Sequence, residues 1–158
     1  MKIRILLAGN NIQKQSGFTY LIILAALVVM GIMAEVVTRS EFIRLKHDQE
    51  QELIFRGMAY QQAIKSYVNA RPQAKQFPRH LDDLVTDPRF THKQHIRQAY
   101  KDPITHDDWL LIKDKTGGIT GVVSSSQLKP LKQKNFPPGL ASFEDAQSYA
   151  DWVFDYQM

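Results

Sequence analysis

Side chains able to do chemistry occur in this chain as scattered small groups. His92 and His95, three residues apart, would share one face of a helix, and Asp82-Asp83 or Asp107-Asp108 could add carboxylates for a metal ion. No third ligand at fixed spacing accompanies the histidines, and paired aspartates are ordinary in caps and turns. Ser124-Ser125-Ser126 offers hydroxyl nucleophiles but lacks the Gly-x-Ser-x-Gly setting that exposes a catalytic serine. Gly117-Gly118 has neither the lysine nor the following helix of a phosphate loop. Lys129, Lys132 and Lys134 form a basic loop that could meet DNA, an acidic partner or lipid headgroups. No aromatic stacking platform accompanies them, so a solvated loop is the simpler reading and no nucleic acid partner is expected. The chain has no Cys, which excludes thiol catalysis, disulfides and cysteine metal sites. These residues predict no enzyme, no metal centre and no cofactor.

One spacing does stand out, and its chemistry would be done to the chain rather than by it. Lys14-Gln15-Ser16-Gly17-Phe18-Thr19-Tyr20 leads into a run in which no side chain from Phe18 to Ala34 carries a charge. Val36 and Val37 extend the apolar character past Glu35 to about the 20 residues a helix needs to cross a bilayer. Lys2, Arg4 and Lys14 precede the run without an acid, which by the positive-inside rule holds the N-terminus in the cytoplasm and places everything after Val37 across the membrane. A plain signal anchor needs only the charge step and the apolar run, and leaves Gly17-Phe18 at the cationic border without a role. A signal peptide cut after Ala34 would put Ile32 where a small residue is preferred.

The same residues resemble the class III signal of type IV pilins and type II secretion pseudopilins. In that signal a short basic leader ends in Gly, a Phe follows, and the apolar helix begins at once. The matching residues are Lys14, Gly17, Phe18, Thr19 and Leu21, with Tyr20 where Leu is commoner. The resemblance implies that a prepilin peptidase cuts between Gly17 and Phe18 and methylates the new amine of Phe18. It also implies that the helix stays on the mature protein and packs into a filament core, with Leu21, Ile22, Leu24, Leu27, Val28 and Gly31 as packing residues. Its partners would be other pilin or pseudopilin subunits, the prepilin peptidase, an inner-membrane assembly platform and the lipid bilayer. One departure matters: the fifth mature residue, Glu in most pilins, is Ile22 here, which cannot pair with a neighbour's amine. In pseudopilin families the missing Glu is a trait of the subunit at the filament tip. Glu35, the next carboxylate, lies more than three helical turns further on and reads as a snorkelling border residue.

These segments must be positioned by few elements, because 158 residues less a membrane helix leave one small domain. The net charge of +4 is mostly a leader feature, since without Lys2, Arg4 and Lys14 there remain 17 basic against 16 acidic residues. From Phe18 to Ala70 there is no Pro, so one helix is expected to run on past the membrane as a rod of roughly 80 Å. Its section from Arg39 to Glu52 is mostly charged, Glu50 included, and reads as solvated or paired to neighbours. Leu53, Ile54, Tyr60, Ala63, Ile64, Tyr67 and Val68 then give an apolar face on which a domain must pack. Pro72 ends the helix near Asn69 to Arg71.

Beyond it, Phe77 to Leu84 reads as a short capped helix, Lys93 to Tyr100 as a short helical or extended piece, and Trp109–Ile112 and Ile119–Ser124 as a hairpin turning at Asp114 to Gly118. Phe77, Pro78, Leu81 and Leu84, then Tyr100, Asp102 and Pro103, then Trp109 and the strand from Gly121, resemble in order the head of the major-pseudopilin type. That family's calcium loop is not visible, so no calcium site is carried over. Many minor pilins close a C-terminal loop with a disulfide, which this chain cannot form. Ser142 to Asp145 has the spacing of a capping box, and Phe143 to Tyr156 reads as a C-terminal helix.

The expected architecture is α+β and pilin-like: leader 1–17, apolar helix 18–37, continuation of the spine 38–71, and a small head 72–158 with an antiparallel sheet and a C-terminal helix. The expected function is structural, as a minor pseudopilin of a type II secretion system or related pilus, in the inner membrane with a periplasmic head. A signal-anchored periplasmic binding or assembly-factor protein that never enters a filament is the alternative.

Overall fold

The absence of proline up to Pro72 leaves the helical ladder unbroken. In the computed structural model, which describes residues 16–157 and the side chains of 18–35 and 41–157, helix α1 accordingly spans Ser16–Asn69. The leader residues 1–15, with Lys2, Arg4 and Lys14, lie outside the described residues. The chain divides into a compact unit up to Phe42 and another from Ile43 onward.

In the second unit, Glu50, Leu53, Gly57, Tyr60, Ile64 and Tyr67 recur three or four residues apart and form one buried seam along α1. Ala63 and Val68 widen it. After the helix, α2 (Asp82–Val85) is shorter than the expected Phe77 to Leu84, with Leu84 buried. The Asp83 carboxylate caps the preceding turn, accepting the N–H groups of Arg79 and His80 at 3.0 Å each. Lys93 to Tyr100 forms neither helix nor strand.

Strands β1 (Leu110–Lys113) and β2 (Ile119–Val123) pair antiparallel, Leu110 opposite Val123 and Lys113 opposite Ile119, with an irregularity between Ile112 and Lys113. Their turn is held by the Asp114 carboxylate, which accepts from the N–H groups of Thr116 and Gly118, while Gly117 takes the left-handed conformation (φ 82°). The Pro78 carbonyl accepts the Ile119 N–H at 2.8 Å, tying the segment before α2 to the start of β2.

The C-terminal helix does not form. The tail makes two single 3₁₀ turns, Ala141–Phe143 and Tyr149–Asp151, and then a third strand, β3 (Phe154–Asp155), beside β2. No capping box forms at Ser142 and Asp145; one forms instead at Ser148 and Asp151, and it closes one turn only. Two physical reasons account for this. Trp152 and Phe154 are buried on either side of the exposed Val153, the two-residue period of a strand. The free edge of β2 also needs partners, and Tyr156 donates its N–H to the Thr120 carbonyl at 2.8 Å. The sheet order is β1-β2-β3.

The core lies between the sheet and the α1 seam. Phe143 and Trp152 stack at 5.4 Å, and Phe154 meets Phe143 edge-on at 5.0 Å and Trp109 at 6.2 Å. The Phe154 ring also lies against Gly57, where an added Cβ would come within 2.5 Å of it. Tyr60 and Trp109 both donate to the Tyr100 carbonyl, at 2.9 and 3.0 Å, which fixes the segment before the Asp102-Pro103 turn.

Candidate functional site

The sequence points to the first half of α1, so the site is a helix surface rather than a cleft. Phe18–Glu35 is long and apolar enough to cross a membrane, the one such stretch among the described residues, and none of it is buried inside the protein. Gly17 lies in the first turn of α1, with Phe18 70 % exposed beside it. Leu21, Ile22, Leu24, Leu27 and Val28 are all exposed, and Gly31 has open space where a Cβ would stand. At about 100° per residue, Leu21, Leu24, Leu27, Val28 and Gly31 share one arc of the helix, whereas Ile22 stands on the opposite side. The surface is apolar all round, including Ile23, Val29, Met30 and Met33, which is the pattern of a helix solvated by lipid or by other apolar helices.

The other candidate groups are dispersed. His92 is exposed with a left-handed backbone (φ 60°), whereas the side chain of His95 is buried. His95 instead meets Asp87 through Nε2 at 3.0 Å and Ser66 through Nδ1 at 2.8 Å. Arg89 donates to both Asp87 oxygens and to the Tyr67 carbonyl, with its guanidinium 3.5 Å from the Tyr67 ring centroid. Burial opposes ionisation of Asp87, but hydrogen bonds from the side chain and backbone of Arg89 and from His95 outweigh it and hold the carboxyl well below its ordinary range. This cluster ties the 87–95 segment to the last turn of α1. Asp82 and Asp83 belong to α2 and its cap, and Asp107 and Asp108 are exposed. Ser124 donates to the buried Asp102 at 2.6 Å and accepts from the Ser126 N–H, so both groups are taken up in holding a turn. Among the described residues no three His, Asp or Glu side chains converge as a metal site.

Sequence reasoning missed Glu50. Far from being solvated, it is 1 % exposed, and its carboxylate accepts the backbone N–H groups of Leu131 and Lys132 and the Tyr149 hydroxyl. Burial, the hydrogen bond to Glu50 and its charge push the Tyr149 phenol well above its ordinary range. One carboxylate on α1 thereby fastens both the basic loop and the tail of a domain without disulfides. The signal was present: Glu50 stands three residues before Leu53 and seven before Gly57, on the buried seam.

Searches against protein-family models, curated proteins and solved structures find no match to this chain.

Proposed function

We propose that the chain is a pilin-like structural subunit, a minor pseudopilin of a type II secretion system or related type IV pilus. The carrying observation is the Gly17-Phe18 pair at the cationic border of a helix whose apolar surface is exposed among the described residues. In this reading a prepilin peptidase removes residues 1–17 and methylates Phe18. The subunit waits in the inner membrane as a single-pass protein, N-terminus cytoplasmic and head periplasmic, and then leaves the bilayer through an assembly platform. Leu21, Leu24, Leu27, Val28 and Gly31 then exchange their lipid surroundings for the apolar helices of other subunits. Ile22, unable to supply the pairing carboxylate, favours a minor position at or near the tip over the bulk of the filament.

The test is intact mass and N-terminal peptide mapping of the membrane-extracted protein, with and without prepilin peptidase. A mature chain that begins at methylated Phe18, and is lost without the peptidase, is the expected result. A chain that retains Gly17 leaves a signal-anchored periplasmic protein outside any filament, and a start at Glu35 leaves a soluble one; either overturns the proposal.

A further inference from the structure

The loop that Glu50 fastens carries a surface that the filament reading does not use. Its backbone is fixed from several sides: Glu50 holds Leu131 and Lys132, Gln133 donates to the Pro130 carbonyl at 2.8 Å, and the Tyr149 N–H bonds the Leu128 carbonyl at 3.1 Å. With the backbone turned inward, Leu128 and Leu131 are left 56 % and 45 % exposed. Leu131, Lys132 and Lys134 line an open groove with Ile43 and His47 of α1, and Ile43 is itself exposed. Leu131, Lys132 and Lys134 therefore share one groove, and Leu128 and Lys129 stand exposed in the same loop.

Among the described residues no ion pair cancels its charge. Glu50 is buried and its oxygens are engaged by backbone N–H groups and a tyrosine rather than by a lysine. Among the described residues Lys129 and Lys134 form no ion pair, and the Lys132 ammonium lies 4.9 Å from the Phe136 ring centroid. Asp145 reaches this loop through its backbone, donating to the Gln133 carbonyl. Exposed leucines between unpaired lysines suit the boundary of headgroups and acyl chains. They do not suit nucleic acid, since the loop holds no aromatic and the nearest one in the chain, Phe136, is packed against Phe143 and Trp152. Chain length keeps the surface within reach: Ile43 follows Glu35 by eight residues, which span at most about 28 Å in any conformation.

We infer that the 128–134 loop is a membrane-docking surface, which seats Leu128 and Leu131 among anionic lipid headgroups while the apolar helix is in the bilayer. The inference rests on the membrane-anchored reading of that helix. Docking would hold the head down on the bilayer before assembly, and extraction into a filament would release it.

The absence of native Cys permits single-site labelling of the full chain. Gln127→Cys, next to Leu128, and Lys115→Cys, in the turn between β1 and β2, each carry an environment-sensitive fluorophore in vesicles of phosphatidylcholine alone or with about one-third phosphatidylglycerol. The label at 127 is expected to shift to the blue and to become about threefold less accessible to acrylamide in the anionic vesicles only. The label at 115 should not change, and Lys129→Gln, Lys132→Gln and Lys134→Gln together should abolish the effect at 127. If the chain floats with both vesicle types but the label at 127 is equally quenched in each, docking is overturned and the anchor stands. If it floats with neither, the anchor falls and docking with it. A response of that label to duplex DNA without a response to lipid overturns docking in favour of nucleic acid.

Discussion

Phe18 to Met33 and Glu50 to Val68 belong to one helix and use the same repertoire of Leu, Ile, Val, Ala, Tyr and a single Gly, yet they meet opposite surroundings. The first stretch is exposed all round; the second hides one seam and exposes the rest. What separates them is pattern rather than content. A helix covered by its own domain needs apolar side chains at every third or fourth position, and it can place a glycine or a carboxylate on the seam where the partner demands one. A helix covered by lipid or by other helices has no preferred face, and charge is removed from the whole circumference. Gly57 and Glu50 stand on the buried seam, whereas the run before Glu35 is uncharged on every side, a pattern compatible with the second kind.

The contrast breaks most visibly at the far side of the seam. Phe154→Ala removes the ring that touches Gly57, Trp109 and Phe143 and loosens β3, and should cost the head about 3–5 kcal/mol. Leu27→Ala, a deletion of comparable kind in the exposed half, should leave the head's unfolding unchanged. Both tryptophans, Trp109 and Trp152, lie in the head, so thermal unfolding of the full chain in mild detergent followed by tryptophan fluorescence reads the difference directly. An equal loss from Leu27→Ala would mean that the exposed half helps to stabilise the head.

Next in size is Glu50. Glu50→Ala leaves the buried Tyr149 hydroxyl and two part-buried backbone N–H groups without their acceptor, and should cost about 3 kcal/mol. Glu50→Gln keeps an acceptor and should cost less than half of that. In Glu50→Gln the Tyr149 phenol should also titrate at lower pH than in the parent, still above an ordinary tyrosine because its burial remains. Spectrophotometric titration of tyrosinate against a Tyr149→Phe control separates this residue from the others.

These two predictions rest on features that differ in how openly the sequence displays them. The long helix, its stop before Pro72 and the hairpin around Asp114 to Gly118 are local: periodicity, a proline and turn residues dictate them. The apolar half was legible for the same reason, since the absence of charge is itself the signal. The tail was not. Phe143, Ala146, Ala150, Val153 and Phe154 fit a helical face on spacing alone, and only the open edge of β2, a partner more than thirty residues earlier, selects a strand for Phe154–Asp155. The alternation of Trp152, Val153 and Phe154 was the available hint. Glu50 failed differently: a lone carboxylate among charged neighbours looks solvated until Tyr149 and the backbone of Leu131 and Lys132 arrive from the other end of the chain.

A smaller effect, and one that depends on pH, comes from the cluster at the end of the seam. An unfolded chain protonates Asp87 near the ordinary value of 3.8, while the folded chain resists protonation, so the unfolded state binds more protons in acid. The stability contributed by Asp87 is therefore fully present above the ordinary carboxylate range and is lost as pH falls through and below it. Asp87→Asn should lower the urea midpoint by the equivalent of about 2–3 kcal/mol at neutral pH, because Arg89 and His95 lose a buried charged partner. The variant should also flatten the acid limb of the stability profile. A parallel downward displacement with the acid limb intact would assign that limb to other carboxylates.

The two glycines give the finest comparison, because each is a hydrogen where the helix could carry a methyl group. Intrinsic preference favours Ala over Gly in a helix by about 1 kcal/mol at either position. At Gly57 the added Cβ would stand 2.5 Å from the Phe154 ring, and the ring cannot yield without unpacking β3. The clash outweighs propensity, and Gly57→Ala should destabilise the head by about 1–2 kcal/mol. At Gly31 nothing lies within 4 Å, so Gly31→Ala should leave head unfolding within about 0.5 kcal/mol of the parent. If apolar helices pack on this arc in an assembled state, the same methyl group would push a neighbour outward, and cross-linking yield between copies would fall while the isolated subunit stayed as stable as before. Unfolding and cross-linking measured on the same variant thus separate a glycine kept for the chain's own core from one kept for packing against other helices.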